Sequence, residues 1–306
     1  MPREVFGPDF QFLQRSELLS YEEITRLARI FIQLGVEKIR ITGGEPLVRA
    51  NLHELIRMLA PLPGLRDLTL TTNGSLLRSQ AQRLREAGLQ RITVSLDALD
   101  DDVFQSMNDA GVTVDTVLKG IDAAREAGLA PIKVNAVVKR GVNDHGIVEL
   151  ARHFHGTGVI VRFIEFMDVG TTNGWRLEHV VSAQEIAERI NAELPIEPVE
   201  RSYPGEVAQR WRYRDGGGEI GIISSITQPF CGDCTRARLS PEGQLFTCLF
   251  GARGHDFREP LRNGASDDEI AAMLRRVWSV RDDRYSEIRS EETVGLPRVE
   301  MSHIGG

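Results

Sequence analysis

Cysteine is nearly absent from this chain. Three occur in 306 residues, Cys231, Cys234 and Cys248. They are too few for a disulfide framework, and an odd set cannot pair off completely. Aromatic residues make up only 6% of the chain. No apolar run approaches the roughly 20 residues of a membrane span. The opening residues, MPREVFGPDF, have no apolar stretch of the kind a secretory leader carries. Positive charge is not in excess either: 37 Lys and Arg stand against 44 acids, a net charge of −7, which argues against a general nucleic-acid surface. There is no P-loop, no H-E-x-x-H and no internal repeat. His153 and His155 are two apart on a predicted helix and so do not share a face. With 41% hydrophobic and 26% charged residues, the chain reads as an ordinary globular protein of one large domain, or one domain plus an appendage. A clustered, odd set of cysteines without a leader favours thiolate ligation in a reducing, cytoplasmic setting.

What is present is regular alternation. Ser20 with Glu23 reads as a helix start, followed by Ile24, Leu27, Ala28 and Phe31 at helical spacing. Strands are expected at 38–42, 68–72, 92–96, 132–138 and 159–166, and helices at 52–59, 75–87, 114–127, 147–154 and 182–194. The strands read as short and nearly continuously apolar, as if covered on both faces. Alternation of this kind implies a parallel sheet with right-handed crossovers. Polar or glycine residues close several strands, and in such folds the C-terminal strand ends carry the site. After 194 the pattern changes. Residues 211–225, interrupted by three glycines, read as a hairpin, and Pro241-Glu242-Gly243 as the turn of a second. A helix follows over 267–280, capped by Ser266, and the chain ends in Gly305-Gly306.

Cys231-Gly-Asp-Cys234 with Cys248 offers three soft ligands to one centre. An iron–sulfur cluster with one open iron, a zinc site completed by His255, and unrelated reduced thiols are all compatible with it. Arg236 and Arg238 sit two apart and, on an extended segment, share a face suited to polyphosphate or carboxylate; surface ion pairing is the plain alternative. Gly43-Gly44-Glu45-Pro46 ends a strand where glycines allow close backbone approach and the glutamate can accept from an ammonium group. Arg40, Thr71, Lys133 and Arg162 are polar positions in apolar strands. Inward-facing charges there need a partner, either a bound anion or an internal carboxylate.

Taken in order, Lys38-Ile-Arg-Ile-Thr-Gly-Gly-Glu-Pro46, Leu70-Thr-Thr-Asn-Gly74, Val94-Ser-Leu-Asp97, Lys133-Val-Asn135, Arg162-Phe-Ile-Glu-Phe-Met-Asp168, Cys231-x-x-Cys-Thr-Arg-Ala-Arg238 and the closing Gly-Gly closely resemble the bacterial GTP 3′,8-cyclase family. These are the molybdenum cofactor biosynthesis A proteins of the radical SAM superfamily. The resemblance covers essentially the whole chain. It implies an α/β fold, an incomplete (β/α) TIM-like barrel of the radical SAM type with a C-terminal β-hairpin and helix extension. Residues 1–200 would form the partial barrel, and 201–306 the auxiliary-cluster and GTP-binding region. It further implies two [4Fe–4S] clusters. One cleaves S-adenosylmethionine; the other, held by Cys231, Cys234 and Cys248, presents an open iron to the guanine of GTP. By the same match Gly44, Ser95 and Met167 would line the S-adenosylmethionine pocket. Arg40, Thr71, Lys133, Arg236 and Arg238 would contact GTP, and Gly305 and Gly306 would reach toward the active site and support turnover.

The resemblance implies an electron donor and a downstream cyclic pyranopterin monophosphate synthase as partners. No nucleic acid or membrane is implied, and a homodimer is compatible with it. In the family the last cysteine of a C-x3-C-x2-C is typically followed by Met-Pro. Here Met1-Pro2 stands in that place, so the first strand and the ligands of the first cluster are expected to be missing, and radical generation with them.

Overall fold

Ser20 starts the first helix as its spacing predicts. Its hydroxyl accepts from the Glu23 N–H at 3.1 Å, while the Glu23 carboxylate accepts from the Ser20 N–H at 2.7 Å. The structure is a computed structural model, and it describes residues 13–108, 111–169, 174–203, 205–229, 231–232, 234–288, 299–300 and 303. From α1 (Tyr21–Gln33) the chain runs through β1 (Lys38–Ile41), α2 (Leu52–Leu59), β2 (Asp67–Thr72), α3 (Leu77–Glu86), β3 (Arg91–Ser95), α4 (Asp101–Asn108), α5 (Val114–Glu126), β4 (Ile132–Val138), α6 (Ile147–Phe154), β5 (Ile160–Glu165) and α7 (Ala183–Glu193). All five predicted strands are found to within one residue at each end. Helix α4 was not predicted; with Phe104 as its single buried residue, it has little apolar periodicity to show.

The sheet is larger than five strands. After β6 (Ile196–Val199), the hairpin of β7 (Gln209–Tyr213) and β8 (Glu219–Ile223) joins it, with β8 lying parallel to β5. The strand order is β1-β2-β3-β4-β5-β8-β7-β6, and all neighbours from β1 to β8 are parallel. The sheet therefore continues past residue 200. Strands β1 and β6 stand at its two ends, and among the described residues no ladder joins them.

One expectation is corrected here. The strands are not apolar on both faces. In β4 the burial alternates strictly: Ile132, Val134, Ala136 and Val138 are buried, while Lys133, Asn135 and Val137 between them are half-buried. The apolar set of every parallel strand faces the helices and forms the main core with Leu55, Ile56, Leu84, Val117, Leu150 and Ile186. Each large side chain so buried contributes about 1.5–3 kcal/mol. The other set, with Arg40, Thr71, Thr93, Lys133 and Arg162, faces the inside of the curved sheet, here called the lumen. Period-2 alternation with one polar face is the pattern of strands lining a barrel that must hold something hydrophilic.

The C-terminal region forms a small antiparallel sheet of β9 (Arg238–Leu239), β10 (Gln244–Phe246) and β11 (His255–Asp256), in the order β11-β10-β9. The helices α8 (Arg258–Arg262), α9 (Asp267–Ser279) and α10 (Tyr285–Ile288) follow. A second core joins this region to α1 through Leu19, Leu27, Ile30, Leu245, Phe257, Leu261, Ile270 and Leu274. Arg26 of α1 fixes the contact from outside, donating to Asp267 at 2.7 Å and to the Ala265 carbonyl at 2.5 Å.

Candidate functional site

Sheet register decides what stands beside what in the lumen. Arg40 pairs with Thr69, and Thr69 with Arg91; Thr71 pairs with Thr93, and Thr93 with Lys133; Asn135 pairs with Arg162, and Arg162 with Gly221. The Arg40 guanidinium donates to Thr71 Oγ1 at 2.7 Å and Thr93 Oγ1 at 3.3 Å, and Arg162 reaches the same Thr93 hydroxyl at 3.4 Å. Gly221 makes room for this, because a Cβ there would stand 3.1 Å from Arg162 Cγ. Among the described residues, Arg162 Nε and Asn135 Oδ1, both buried on this face, have no hydrogen-bond partner. A buried unpaired polar atom costs about 1–3 kcal/mol, so the pair marks a place built for a bound group.

The charge balance says which kind of group. Arg91 is held by Asp67, with Nε donating to Oδ1 at 2.7 Å, and Lys38 approaches the same carboxylate at 3.5 Å. Arg40, Lys133 and Arg162 have no such partner: among the described residues no carboxylate oxygen lies within 4.0 Å of them. Burial, reinforced by Arg162 and Arg91 and opposed by Glu206, depresses Lys133 to about 8. Burial together with Arg40 and Arg91 depresses Arg162 to about 9, and burial with Arg91 also lowers Arg40. Buried cations that repel one another call for an anion.

Sequence reading missed three contributors to this environment. Asp67 and Arg91 form an ion pair in the lumen, and their positions on the polar face of β2 and β3 were a usable signal. Glu206 is buried on the β6–β7 connection, where it accepts from the Ser202 N–H at 2.7 Å; nothing in its local sequence marked it.

At the C-terminal strand ends, Gly43 adopts φ +147° and Gly44 is exposed beyond β1, Ser95 closes β3, and Met167 follows β5 against Ile164, Ala208 and Ile223. Glu45 is engaged within the chain. Its carboxylate accepts from the Leu47 N–H at 3.0 Å, Thr72 Oγ1 at 2.7 Å and the Asn73 N–H at 2.7 Å. It ties the β1 loop to the end of β2. Glu165 does the same for β5, accepting from the N–H groups of Ala183, Ile226 and Thr227 and from the Thr227 hydroxyl.

Cys231, Cys234 and Cys248 are half-buried free thiols. Burial raises Cys248, and negative charge on Asp283, Cys231 and Cys234 raises it further, so the three sulfurs are electrostatic neighbours. Burial also pushes Cys234 up, but Arg236, donating to its sulfur at 3.1–3.2 Å, outweighs that and leaves it below the ordinary thiol value. Arg238 lies between this group and the lumen: burial, with Arg236 and Arg40, lowers it to about 10, opposed by Cys248 and Cys234. The segment before and within α10 clamps the cysteine loop. Arg281 donates to the Cys234 carbonyl at 2.6 Å, Glu287 accepts from the Gly232 N–H at 3.1 Å, and Tyr285 stacks on Phe250 at 4.5 Å while donating to Asp168 at 2.7 Å.

The donor set fits an iron–sulfur cluster with one iron free of protein ligand: three soft thiols in electropositive surroundings. Among the described residues, no three His, Cys, Asp or Glu side chains are drawn to a common metal-ligating point. His255 does not join the thiols. It is exposed on β11, paired with Leu245. Gly305 and Gly306 lie outside the described residues.

A parallel α/β sheet with a glycine loop after its first strand and a polar inner face is the architecture of the radical SAM class, and residues 6–154 match the Radical SAM superfamily. Residues 159–287 match the family described as Molybdenum Cofactor Synthesis C. A GTP 3′,8-cyclase of Acidothermus cellulolyticus is 54% identical, aligned over 100% of this chain and 91% of its own length. The enzymes of the same name from Staphylococcus carnosus, 48% identical over 100% and 91%, and from Xanthomonas campestris pv. campestris, 50% identical over 98% and 88%, agree. The chain belongs to the GTP 3′,8-cyclase family. Among the described residues no helix is long and apolar enough to cross a membrane.

Proposed function

We propose that this polypeptide binds GTP across the lumen, triphosphate on the cations of β1, β4 and β5 and guanine toward the three cysteines, as the GTP 3′,8-cyclase of molybdenum cofactor biosynthesis. The observation that carries the reading is the set of Arg40, Lys133 and Arg162, half-buried on one face with no carboxylate within 4.0 Å among the described residues. Charge-assisted bonds to phosphate oxygens would offset the cost of holding these cations together. Thr71 orients Arg40. Arg238, with Arg236 beyond it, would extend the cationic path to the cysteines.

In this reading Cys231, Cys234 and Cys248 hold a [4Fe–4S] cluster, which when bound supplies an iron with an open position for the guanine edge. Gly44, Ser95 and Met167 line the S-adenosylmethionine end, and Gly305 and Gly306 act as a tail toward the site. The division into a barrel over 1–200 and a cluster- and GTP-binding region over 201–306 belongs to the same proposal. So do a cytoplasmic setting, an external electron donor and a synthase that consumes the cyclic product. The only cysteines among these 306 residues are the three near 240, so they do not fit the cluster that cleaves S-adenosylmethionine. A polypeptide limited to these residues is proposed to bind GTP without turning it over.

The test is calorimetric titration with GTP and with guanosine. GTP is expected to bind much more tightly than guanosine, and replacing both Arg40 and Arg162 by Ala should weaken GTP at least tenfold while changing guanosine little. Equal losses for both ligands would overturn the phosphate role. Deoxyadenosine production by the 306-residue chain, given reductant and S-adenosylmethionine, would overturn the claim that it does not turn GTP over.

A further inference from the structure

We propose that the lumen takes its nucleoside triphosphate as the free polyanion and discriminates against the magnesium complex. This rests on the reading of the lumen as the GTP site and concerns the ionic form in which the substrate enters.

Magnesium in a nucleotide site is held in near-octahedral geometry by one or two carboxylates or hydroxyls plus the phosphates, and it keeps several waters. The acids at both ends of these strands already accept hydrogen bonds. Asp67 accepts from Arg91 through both oxygens and faces Lys38. Glu45 takes three donors and Glu165 four. Glu206 accepts from the Ser202 N–H, Asp97 from the Val137 N–H, and Asp168 from the Tyr285 hydroxyl. The Thr93 hydroxyl already receives Arg40 and Arg162, and Thr71 receives Arg40. A metal ion arriving with the phosphates would compete with these donors for the same carboxylates and hydroxyls.

Charge points the same way. Lys38, Arg40, Arg91, Lys133, Arg162 and Arg238 act on one another or on the same neighbours, and among the described residues Asp67 and Glu206 are the carboxylates that act on them most strongly. The free triphosphate carries more negative charge than its magnesium complex by the ion's full divalent charge. A cation surplus of this size favours the more negative form, and a divalent ion placed here would be repelled by guanidiniums that cannot shed their protons at neutral pH. P-loop sites work differently, offering one lysine and leaving most of the charge neutralisation to the metal.

The experiment titrates the 306-residue chain with GTP and, separately, with inorganic tripolyphosphate, which needs no base pocket. One buffer contains EDTA and potassium chloride; the other contains excess magnesium chloride at the same ionic strength. Both ligands are expected to bind at least tenfold more weakly in magnesium. Binding that is equal or tighter in magnesium overturns the inference and leaves the GTP reading standing. Failure of both ligands to bind even in the EDTA buffer overturns the GTP reading and the inference with it.

Discussion

Arg40 on β1 and Arg162 on β5 have three strands between them, yet both guanidiniums reach one hydroxyl, Thr93 Oγ1, at 3.3 and 3.4 Å. The hydroxyl is fully buried. Two cations converging on a neutral acceptor gain a hydrogen bond each and repel one another through a medium of low dielectric. The arrangement is costly while empty and favourable once an anion bridges it, which is the economy of a binding site rather than of a scaffold.

That cost should be visible in stability. Arg162→Met keeps a flexible stem against Gly221 and removes both the charge and the orphaned Nε. The variant is expected to unfold at higher urea concentration, by about 1–2 kcal/mol in the absence of ligand, as buried charges replaced by apolar groups of similar volume often do. It should also bind GTP at least tenfold more weakly. Loss of stability together with unchanged affinity would show Arg162 to be structural.

Lys133 gives the site a pH signature. It titrates at about 8 in the fold against 10.5 for the ordinary side chain. Below pH 8 both folded and unfolded chains hold the proton, and the full penalty of an ammonium among Arg162, Arg91 and Lys38 is present. From 8 to 10.5 the fold sheds the proton and the unfolded chain keeps it, so this group's contribution to stability rises with pH. Binding runs the other way. A polyanion favours the charged lysine, so GTP affinity should fall as pH rises through 8, and Lys133→Met should flatten that profile. An unchanged profile in the variant would assign the pH dependence elsewhere.

The division between what was legible in the sequence and what was not follows from range. Strand positions, the Ser20 cap and both C-terminal hairpins are local and were readable. The polar face of the sheet was also written there, as Lys133-Val-Asn135 and Arg91-Ile-Thr93, but the apolar residues between drew the eye to burial. What local pattern cannot give is pairing at a distance. Asp67 meets Arg91 across a strand pair, β8 joins β5 only through register, and Glu45 turns back to Asn73, 28 residues on. The glycine loop drew attention to Glu45 as an acceptor, and its donors within the chain, Leu47, Thr72 and Asn73, could not be read from it.

Glu45 can be tested as a tether. Glu45→Gln keeps the shape but weakens the charge-assisted acceptance from Asn73 and Leu47, and should destabilise the chain by about 1–2 kcal/mol. Amide exchange of Asn73 and Leu47 should quicken selectively. If those amides exchange unchanged while S-adenosylmethionine binding is lost, the tether account is wrong.

Strand β1 pairs only with β2 among the described residues, so its outer row of amides and carbonyls lacks a ladder partner. Residues 38–41 should exchange their outward amides far faster than β3, which is paired on both sides. Because Arg40 sits on this edge, GTP should slow that exchange by anchoring its guanidinium. Exchange as slow as in β3 without ligand would mean that something else covers the edge.

The cysteine loop is held by side chains that are not themselves ligands. Anaerobic reconstitution should load about four irons per chain through Cys231, Cys234 and Cys248, and zinc taken up in place of iron would refute the cluster. Arg281 fixes the Cys234 carbonyl, and Tyr285 ties Asp168 at the end of β5 to Phe250 beside Cys248. Removing these clamps leaves every thiol in place but lets the loop sample more conformations, which raises the entropic cost of closing around a cluster. Arg281→Ala and Tyr285→Phe should therefore load iron to the same stoichiometry and lose it faster to a chelator, Arg281→Ala the more so because it gives up a charged donor at 2.6 Å. Fewer irons per chain at saturation, with an unchanged loss rate, would mean that these residues take part in ligation and do not merely hold the loop.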